Sequence, residues 1–532
     1  MRKFILLFIV AAFGFSFANS SCKNGNREKE LGAINTSSQG FQKESSEVYF
    51  DSTLVAPFFV KHPHLKAFQP SVEALYKKHQ YHYIWFDKEG INEMGNLLYN
   101  KITNIASEGV QAAVPYKAEL EAVFQNEDAL QEPTIATELL LSSLYFFYAN
   151  KVYQGLDAKQ TTALGWHLPR KKQSYISYLD SLLANPSLIN KDEREVLGQY
   201  YRLKEVLKHY RDMEKKGGWS AIELDTTFKT FTPGDSSKTI VQIRQHLFDV
   251  GDLAVNSKSA LYDDALKAGI IKFKKRNGAI PNTIITAKNI ATMNVPIAHR
   301  IKTIIVNMER CRWIPSDITK AKEYIGINIP SFRFTYFKDN KPVLVSNVVV
   351  GKALNQTVVF SGMMQYVVFS PYWNVPKSII KKEIAPAMAK NKNYLAEHNM
   401  EWNNGAIRQK PGPKNSLGLV KFLFPNNNNI YLHDTPSKSL FNEEKRAFSH
   451  GCIRIEKPKE LANLLLKDDK DWSPEKIDAA MNKGKETWYT LKNKIPVYIG
   501  YFTAWVDSEG VIHFYDDIYH RDERLAELIF EK

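Results

Sequence analysis

The sequence contains very little cysteine. Of its 532 residues only three, Cys22, Cys311 and Cys452, are cysteines. Three thiols allow at most one disulfide bond, which excludes a small scaffold held together by several disulfides. The count also excludes a zinc site with four thiolate ligands and an iron–sulfur cluster held by cysteines of this chain alone.

Long apolar runs are also scarce, and the clearest one lies at the N-terminus. Residues 4–18 are almost all apolar and follow Arg2 and Lys3, but a membrane-spanning helix needs about 20 such residues. This pattern is typical of a secretory signal, so we interpret residues 1–22 as a signal peptide. Two kinds of processing remain open, cleavage near the small residues 18–20 or lipoprotein processing that leaves a lipid anchor on Cys22. Both predict export to the periplasm or elsewhere in the cell envelope.

The charge balance points to anionic surroundings. Lysine and arginine number 71, and aspartate and glutamate 57, so the formal net charge is 71 − 57 = +14. Such a charge suits nucleic acid, anionic lipid or an acidic polymer. Because the signal peptide indicates export, we do not expect nucleic acid as a partner. The hydrophobic content of 44% and the charged content of 24% are those of ordinary globular proteins and exclude wholesale disorder.

The first half of the chain is predicted to be mainly helical. Residues 23–46 are rich in serine, glycine, asparagine and charge, which predicts a flexible tether. From 47 to 235 apolar residues recur every three or four positions, which predicts a helical scaffold domain. Residues 138–150 are apolar on nearly all sides, as in a buried helix. The clearest helical patterns lie at residues 91–105, 136–156 and 193–215.

Residues 237–297 are predicted to form a small helical domain. Its helical patterns lie at residues 239–248, 262–276 and 284–293. With Gly251-Asp252, Tyr262-Asp263 and the turn at Gly278, this run resembles the three-helix peptidoglycan-binding domain found beside many cell-wall enzymes. A generic helical part of the scaffold is the alternative. Whether the domain binds glycan is left open by the residues that follow Gly278.

The pattern changes from helical to β-rich after residue 300. Short segments rich in β-branched and aromatic residues alternate with turns, which predicts strands. The predicted strands are 324–329, 331–337, 342–350 and 364–369, and the predicted helices are 377–395 and 460–466. We therefore expect an α+β multidomain protein, with a β-rich domain over residues 300–500 and a C-terminal segment over residues 501–532.

The residues most informative about chemistry lie between 431 and 454. Tyr431-Leu432-His433 precedes the run Ser449-His450-Gly451-Cys452-Ile453-Arg454. A nucleophilic cysteine needs a base or positive charge that favours its thiolate, and N–H groups that bind the developing oxyanion. His433 lies 452 − 433 = 19 residues upstream of Cys452. That separation lets the chain fold back and bring the imidazole to the thiol.

The residues that flank Cys452 suit the same chemistry. Gly451 permits a tight turn, so the N–H groups of Gly451 and Cys452 can bind an oxyanion. Arg454 shares a face with Cys452 in an extended strand, where it can stabilise the thiolate or hold a substrate carboxylate. Three alternatives remain open from these residues alone. They are that Cys452 is inert packing, that His450 is the base, or that His433, Asp434, His450 and Cys452 bind zinc.

The run 449–454, with the upstream Tyr431-x-His433, resembles the active-site signature of the L,D-transpeptidases, the YkuD-domain enzymes that cross-link bacterial peptidoglycan through a cysteine. More specifically, it resembles the large YcbB-like subgroup, with a peptidoglycan-binding domain. The resemblance extends over about residues 240–518. Further matches include Asn307-Met308-Glu309-Arg310, Arg312-Trp313, Pro371-Tyr372-Trp373-Asn374 and Thr503-Ala504-Trp505.

The resemblance implies a role for each site residue. Cys452 is the nucleophile, His433 is its general base and acid, and the backbone at Gly451 and Cys452 forms the oxyanion hole. Residues 377–413 form a helical lid over the site. The residues implied to bind substrate are Tyr431, Ser449, His450, Arg454, Tyr372, Trp373 and Asn374, with core packing as the alternative for Tyr372 and Trp373.

The resemblance also implies an acyltransferase of peptidoglycan biosynthesis and cell-wall organisation, with a role in cell shape. A donor stem peptide forms a thioester with Cys452 and releases D-alanine, and an acceptor stem peptide then takes the acyl group in a 3-3 cross-link. No cofactor and no metal are implied, and carbapenem-type β-lactams are expected inhibitors. The alternatives are an L,D-carboxypeptidase or cysteine peptidase of cell-wall peptides and an inactive wall-binding scaffold.

Overall fold

Residues 49–170, 174–185, 188 and 196–530 are described by the computed structural model. All of them belong to one compact unit. The predicted signal peptide with Cys22 and the predicted tether lie outside the described residues. No helix in the described part of the chain is both long enough and apolar enough to cross a membrane.

The region before residue 220 is mainly helical, as its apolar spacing predicts. Thr134 caps the helix Ile135–Ala149 by accepting the N–H of Thr137. This helix is buried from Thr137 to Ala149, which confirms the predicted buried helix. The elements of this region are α1 (Val55–Lys61), α2 (Gln69–Lys78), β1 (Phe86–Asp87), β2 (Gly90–Ile91), α3 (Glu93–Thr103), α4 (Lys117–Gln125), α5 (Glu127–Gln131), α6 (Ile135–Ala149), α7 (Ala158–Ala163), β3 (Trp166–His167), α8 (Tyr175–Ala184) and α9 (Gln199–Lys215).

A separate hydrophobic cluster lies between residues 222 and 293. Asp263 caps its central helix by accepting the N–H of Leu266, and the Asp252 carboxylate holds the buried Arg276 guanidinium at 2.6–2.9 Å. The three helices predicted here are confirmed, while the domain boundaries and glycan binding stay predictions. The elements are β4 (Thr230–Phe231), α10 (Lys238–Asp249), α11 (Asp264–Arg276), β5 (Ile285–Thr286) and α12 (Ala287–Met293).

The following helix, α13 (Ile297–Arg312), ties the N-terminal helices to the rest of the chain. The buried Glu309 carboxylate accepts the N–H of Leu156 (2.6 Å) and a guanidinium N–H of Arg312 (2.7 Å). Arg312 also donates to the carbonyl oxygen of Val152 (3.0 Å). These buried charges are therefore paired and hydrogen-bonded, as buried ionic groups must be.

The other side of α13 contacts the C-terminal segment. The Asn307 amide donates to the Thr503 hydroxyl (2.7 Å), and the Arg310 guanidinium donates to the Asp522 carboxylate (2.7 Å). Asp522 lies on α19 (Arg521–Ile529). The sequence motif around Asn307 thus marks a junction between helix, sheet and C-terminus.

Eight strands form a sheet that closes on itself. In the numbering given at the end of this paragraph, the order of neighbouring strands is β13–β14–β16–β8–β7–β6–β17–β9. The sheet closes because β9 also pairs with β13. All four predicted strands are confirmed. The strands are β6 (Glu323–Asn328), β7 (Arg333–Lys338), β8 (Lys341–Gly351), β9 (Val359–Phe369), β13 (Val420–Leu423), β14 (Leu432–His433), β16 (Ile453–Ile455) and β17 (Thr487–Gly500).

The helical region contributes one further strand to this sheet. The two residues of β3 pair in parallel with Val359 and Phe360 at the start of β9. Trp166 of β3 is buried and packs edge-on against Trp313 and Phe502, with ring centroids 5.0 and 6.0 Å apart. The sheet is therefore completed by a segment more than 150 residues upstream in the chain.

Residues 370–419 form an insertion between the paired strands β9 and β13. It has its own apolar cluster, which includes Val375, Ile379, Ile384 and Ile407. The prediction of one helix over 377–395 is wrong, because a π-helical turn (Ile380–Ile384) and a non-helical break after Lys390 interrupt it. Pro386, which has no N–H, follows the π turn. The insertion also contains strands that the sequence did not reveal. Its elements are β10 (Trp373–Asn374), α14 (Lys377–Ile379), α15 (Ala385–Lys390), α16 (Tyr394–Glu397), β11 (Met400–Asn403) and β12 (Ala406–Gln409).

The remaining elements cover one end of the sheet and the C-terminus. Helix 460–466 is confirmed with slightly shifted bounds. These elements are β15 (Ala447–Ser449), α17 (Pro458–Leu465), α18 (Pro474–Asn482), β18 (Ala504–Val506), β19 (Ile512–Phe514) and the helix α19 already given.

Candidate active site

The strand register brings the predicted site residues together. In the parallel pair β14–β16, Leu432 lies opposite Ile453 and His433 lies opposite Arg454. Leu432 and Ile453 are fully buried in the main hydrophobic core. Because side chains alternate along a strand, His433 and Arg454 lie on the opposite, outer face, with Cys452 at the same edge. The chain does fold back as the 19-residue separation predicts.

His433 is held as a neutral base. Its ring is buried, and Nδ1 lies 2.5 Å from the carbonyl oxygen of Asp434. A carbonyl oxygen can only accept, so Nδ1 carries the hydrogen and Nε2 keeps its lone pair. Burial, together with the charges of Arg454 and Lys421, lowers the pKa of His433 to about 3. The imidazole is therefore uncharged at neutral pH.

The residue after the base fixes its position. The Asp434 N–H donates to the Val420 carbonyl (2.9 Å), and the Asp434 carboxylate accepts the N–H of Leu419 (2.9 Å) and binds Lys438 (2.5 Å). Gly418 has φ +62°, and a Cβ there would collide with the Asp434 carboxylate. The end of β14 is thus fixed to β13, and the His433 ring with it.

Cys452 is half-buried, and its thiol is not pre-ionised. Burial raises the pKa of Cys452, and hydrogen bonds from the main chain and hydroxyl of Tyr431 and the charge of Arg454 offset this only in part. Sγ lies 3.5 Å from the carbonyl oxygen of Asn429, to which the thiol donates. Cys452 therefore lacks the lowered pKa expected of a nucleophilic thiol. The thiol and the His433 imidazole are both neutral, because both groups are desolvated.

The cysteine loop, residues 449–452, is shaped from within. The buried Ser449 hydroxyl donates to the carbonyl oxygen of Cys452 (2.6 Å) and accepts the N–H of Gly451 (3.1 Å). Gly451 has φ +118°, a conformation that favours glycine. Ser449 therefore supports the loop rather than lining a cleft. The Gly451 N–H, predicted to bind an oxyanion, is already engaged, whereas the Cys452 N–H donates to no group in the described part of the chain.

Thr357, which the sequence did not reveal as part of the site, supports this loop through hydrogen bonds. The buried Thr357 hydroxyl donates to the Gly451 carbonyl and accepts the Gly351 N–H, both at 2.9 Å. The Thr357 N–H in turn donates to the Tyr519 hydroxyl (3.2 Å). No local motif marks Thr357, because it lies 452 − 357 = 95 residues before the cysteine.

Replacing Thr357 with valine should slow acylation of Cys452 roughly tenfold, because two buried backbone groups lose their partner at constant side-chain volume. The rate of Cys452 acylation by a carbapenem, followed by mass spectrometry, measures this effect. Thr357→Ser keeps the hydroxyl and should stay within about twofold of the wild type. A Thr357→Val protein that reacts at the wild-type rate would remove Thr357 from the support of the loop.

Arg454 has a charge that the protein does not neutralise. It forms no hydrogen bond or ion pair with the residues described, and its buried Nε atom lacks a partner there. Burial lowers the pKa of this guanidinium, and the neighbouring Cys452 acts in the opposite direction. A guanidinium in this state suits a ligand carboxylate, which it can bind through two parallel hydrogen bonds.

His450 points to the insertion. Its exposed ring lies 2.7 Å, through Nε2, from the Glu383 carboxylate in the π turn. This contact joins the insertion to the cysteine loop, consistent with a lid at residues 377–413. The His450 ring is therefore engaged by Glu383, whereas the buried His433 is placed to act as the base.

The run Tyr372-Trp373-Asn374 lies at the base of the insertion. Trp373 packs against the apolar cluster of the insertion, and exposed Asn374 pairs with Arg408 in the small sheet. The Tyr372 ring lies under the Arg408 guanidinium, 4.1 Å from ring centroid to Cζ. Trp373 is thus packed in an apolar cluster, as the alternative interpretation predicts. The carbonyl oxygen of Tyr372 lies near the site, 3.4 Å from Nζ of Lys421.

Within the described residues there is no group of three or more histidine, cysteine, aspartate or glutamate side chains placed to hold a metal ion. The zinc alternative at His433, Asp434, His450 and Cys452 therefore has no geometric support. The Asp434 carboxylate is engaged by Leu419 and Lys438 instead.

A closed sheet thus carries a thiol and a neutral, buried imidazole at one edge, which defines a class of protein equipped with the groups that thiol-based acyl transfer uses. Residues 322–493 match the family model of the YkuD L,D-transpeptidase catalytic domain, and residues 70–207 match a Scaffold domain. Residues 322–493 are therefore similar in sequence to the YkuD L,D-transpeptidase catalytic domains.

Similar proteins carry the same family name. A Haemophilus influenzae protein provisionally named L,D-transpeptidase is 32% identical over 243 residues, which are 42% of this chain and 48% of that protein. The chain thus spans about half the length of this curated relative. L,D-transpeptidase 3 of Mycobacterium tuberculosis, solved with a faropenem-derived adduct, is 14% identical over 34% of this chain and 60% of its own, with a TM-score of 0.19. An L,D-transpeptidase of Stackebrandtia nassauensis is 14% identical over 51% of this chain and 94% of its own, with a TM-score of 0.20.

Proposed function

We propose that this protein is a peptidoglycan L,D-transpeptidase that forms 3-3 cross-links between stem peptides through a thioester on Cys452. The observation that carries the proposal is the buried, neutral His433, whose Nε2 is free and unprotonated, on the strand that pairs with the one immediately after Cys452. The family match of residues 322–493 supports the same reaction class.

In the first step the Cys452 sulfur attacks the carbonyl carbon that joins an L-centre of the donor stem to its terminal D-alanine. The thiol proton passes to Nε2 of His433, and the oxyanion is bound by the Cys452 N–H. The carbon–nitrogen bond then breaks, and His433 returns the proton to the departing amine. D-Alanine leaves, and the acyl group remains on sulfur as a thioester.

In the second step an amine of the acceptor stem attacks the thioester carbonyl. His433 takes the amine proton and delivers it to sulfur as the carbon–sulfur bond breaks. The product is an amide between two diamino acid residues, and the thiol is restored. Both steps begin from neutral groups, so charge separates only during the reaction.

Arg454 is suited to hold the carboxylate of the terminal D-alanine. That carboxylate lies one residue beyond the scissile bond, and the guanidinium lies two residues beyond the nucleophile on the same face. An unpaired guanidinium at this place would select donors that end in a free carboxylate. Tyr431, which hydrogen-bonds the thiol, would help to orient Cys452.

The setting of this activity is also a proposal. The signal-like N-terminus supports export to the periplasm or cell envelope, with Cys22 as the site of a lipid anchor if lipoprotein processing occurs. The net charge of +14 suits an anionic wall polymer. Carbapenem-type β-lactams would inhibit the enzyme by acylating Cys452.

Incubation of the purified protein with a disaccharide-tetrapeptide should yield cross-linked dimers and free D-alanine, both detectable by mass spectrometry. Dimers show transfer to an amine, whereas tripeptide alone would show transfer to water and establish an L,D-carboxypeptidase. No product from protein that is folded and has an intact thiol would favour a wall-binding scaffold. Cys452→Ala is the blank for each product.

A further inference from the structure

Lys421 lies on the same outer face of the sheet as the site. The register places Lys421 of β13 opposite His433 of β14, which is itself opposite Arg454 of β16. Neighbouring strands are about 4.8 Å apart, so the backbones of Lys421 and Arg454 are about 10 Å apart with the base between them. Two cationic side chains therefore flank His433 along one line.

The Lys421 ammonium is poorly partnered within the protein. Its side chain is 11% exposed, and Nζ lies 3.4 Å from the Tyr372 carbonyl oxygen and 3.6 Å from Oε1 of Glu486. Both distances exceed the usual 2.7–3.2 Å of an N–H···O hydrogen bond. An ammonium has three N–H donors, so Lys421 has donor capacity to spare.

Glu486 is occupied by other donors. Its Oε1 accepts the Tyr372 N–H at 2.9 Å, and its Oε2 accepts the indole N–H of Trp488 at 3.0 Å. These two bonds fix the carboxylate at the edge of the site, so its ion pair with Lys421 is a long one, 3.6 Å from Nζ to Oε1. The Trp488 ring is 53% exposed, and its centroid lies 5.5 Å from Nζ of Lys421. This ring therefore separates the Lys421 ammonium from solvent.

The surroundings of Lys421 favour an anion. Burial lowers the pKa of Lys421, and the long ion pair with Glu486 offsets this only in part. The Arg454 and Lys421 charges both act to lower the pKa of His433, so positive potential accumulates along this line. A bound carboxylate would restore to Lys421 the interactions that burial removes.

We propose that Lys421 binds a second carboxylate of the donor stem peptide, upstream of the scissile bond, while Arg454 binds the terminal carboxylate. An extended peptide rises about 3.3–3.6 Å per residue, so carboxylates two or three residues apart match the spacing of about 10 Å. The Trp488 ring would cover the peptide beside the second carboxylate. This inference rests on the proposed function. It means that Lys421 favours donor peptides that carry a negative charge upstream of the scissile bond.

The test measures donor binding in the Cys452→Ala background, where no turnover occurs, by calorimetry with a stem tetrapeptide and with the same peptide amidated at its internal carboxylates. Cys452→Ala should bind the free-acid peptide roughly tenfold more tightly than the amidated one. Adding Lys421→Gln should abolish that difference by weakening only the free-acid peptide. Adding Lys421→Arg should keep most of it, which also guards against a fold defect in the glutamine variant.

A matched control is Lys410→Gln. Lys410 is a half-exposed lysine of the insertion that pairs with Glu401 at 3.1 Å, and its replacement should leave the discrimination unchanged. Two results would overturn the inference. One is that the Lys421→Gln protein still prefers the free-acid peptide to the amidated one. The other is that Cys452→Ala itself binds both peptides equally. Absence of cross-linked product from the wild type would instead count against the proposed function, so the two failures are distinguishable.

Discussion

Replacing Cys452 with alanine is expected to abolish both acyl-enzyme formation and cross-link synthesis, a loss of at least about 10³-fold. No other group at the site can form the thioester, and removal of a covalent nucleophile has effects of this size or larger. The measurement is the intact mass of the protein after incubation with a carbapenem. Wild-type protein should gain the mass of one drug molecule, and Cys452→Ala none.

Cys311 provides the matched control for this experiment. It is the other cysteine in the described part of the chain, and it is fully buried on α13, where burial raises the pKa of its thiol. Cys311→Ala should therefore retain the full adduct. An adduct that survives in Cys452→Ala, or a wild-type protein that gains no mass, would contradict the assignment of Cys452 as nucleophile.

Replacing His433 with glutamine should slow acylation by about 10²–10⁴-fold, the usual contribution of a general base. The structure also predicts the pH dependence. Because the pKa of His433 is lowered from 6.5 to about 3, the imidazole is in its basic form throughout pH 5–8 and contributes no inflection near 6.5. Because the proposed reaction starts from a neutral thiol and the pKa of Cys452 is raised, the acylation rate should stay nearly constant between pH 5 and 8.

The acylation rate between pH 5 and 10 tests both statements. His450→Gln is the comparison, since His450 contacts Glu383 and not the thiol, and it should retain most of the rate. An inflection between pH 6 and 7 that disappears in His433→Gln would mean that the imidazole titrates as an exposed histidine. A larger loss in His450→Gln than in His433→Gln would transfer the role of base to His450.

The parts of the fold that could be predicted are those set by local pattern. The strands of residues 323–369 and the helices of residues 238–293 follow from alternation and three- to four-residue spacing. Strand β17, by contrast, carries outward-facing lysines at 492 and 494 and a proline at 496, which hide its pattern. Strand β3 has only two residues, and nothing near it in sequence indicates that it pairs with β9.

The site residues likewise fall into those that local sequence could predict and those that only the folded structure reveals. Cys452 and His433 could be predicted because the chemistry of a thiol nucleophile restricts its near neighbours in the sequence. Ser449 could be placed near the site, but its role as a support of the loop depends on a buried hydroxyl that only packing reveals. Thr357 joins the site through hydrogen bonds to the cysteine loop and Lys421 joins it through strand register, so the role of neither residue could be predicted from the sequence.

Strand β3 has a consequence for how this protein can exchange parts during evolution. Because Trp166 and His167 add a strand to the main sheet, a recombination point between α9 and α13 would remove a neighbour of β9 and expose backbone N–H and C=O groups. The same cut would separate Glu309 and Arg312 from Leu156 and Val152. We therefore expect an exchange of the Scaffold-domain region or the YkuD region alone to destabilise the protein, so that the two would have to be exchanged as a single block.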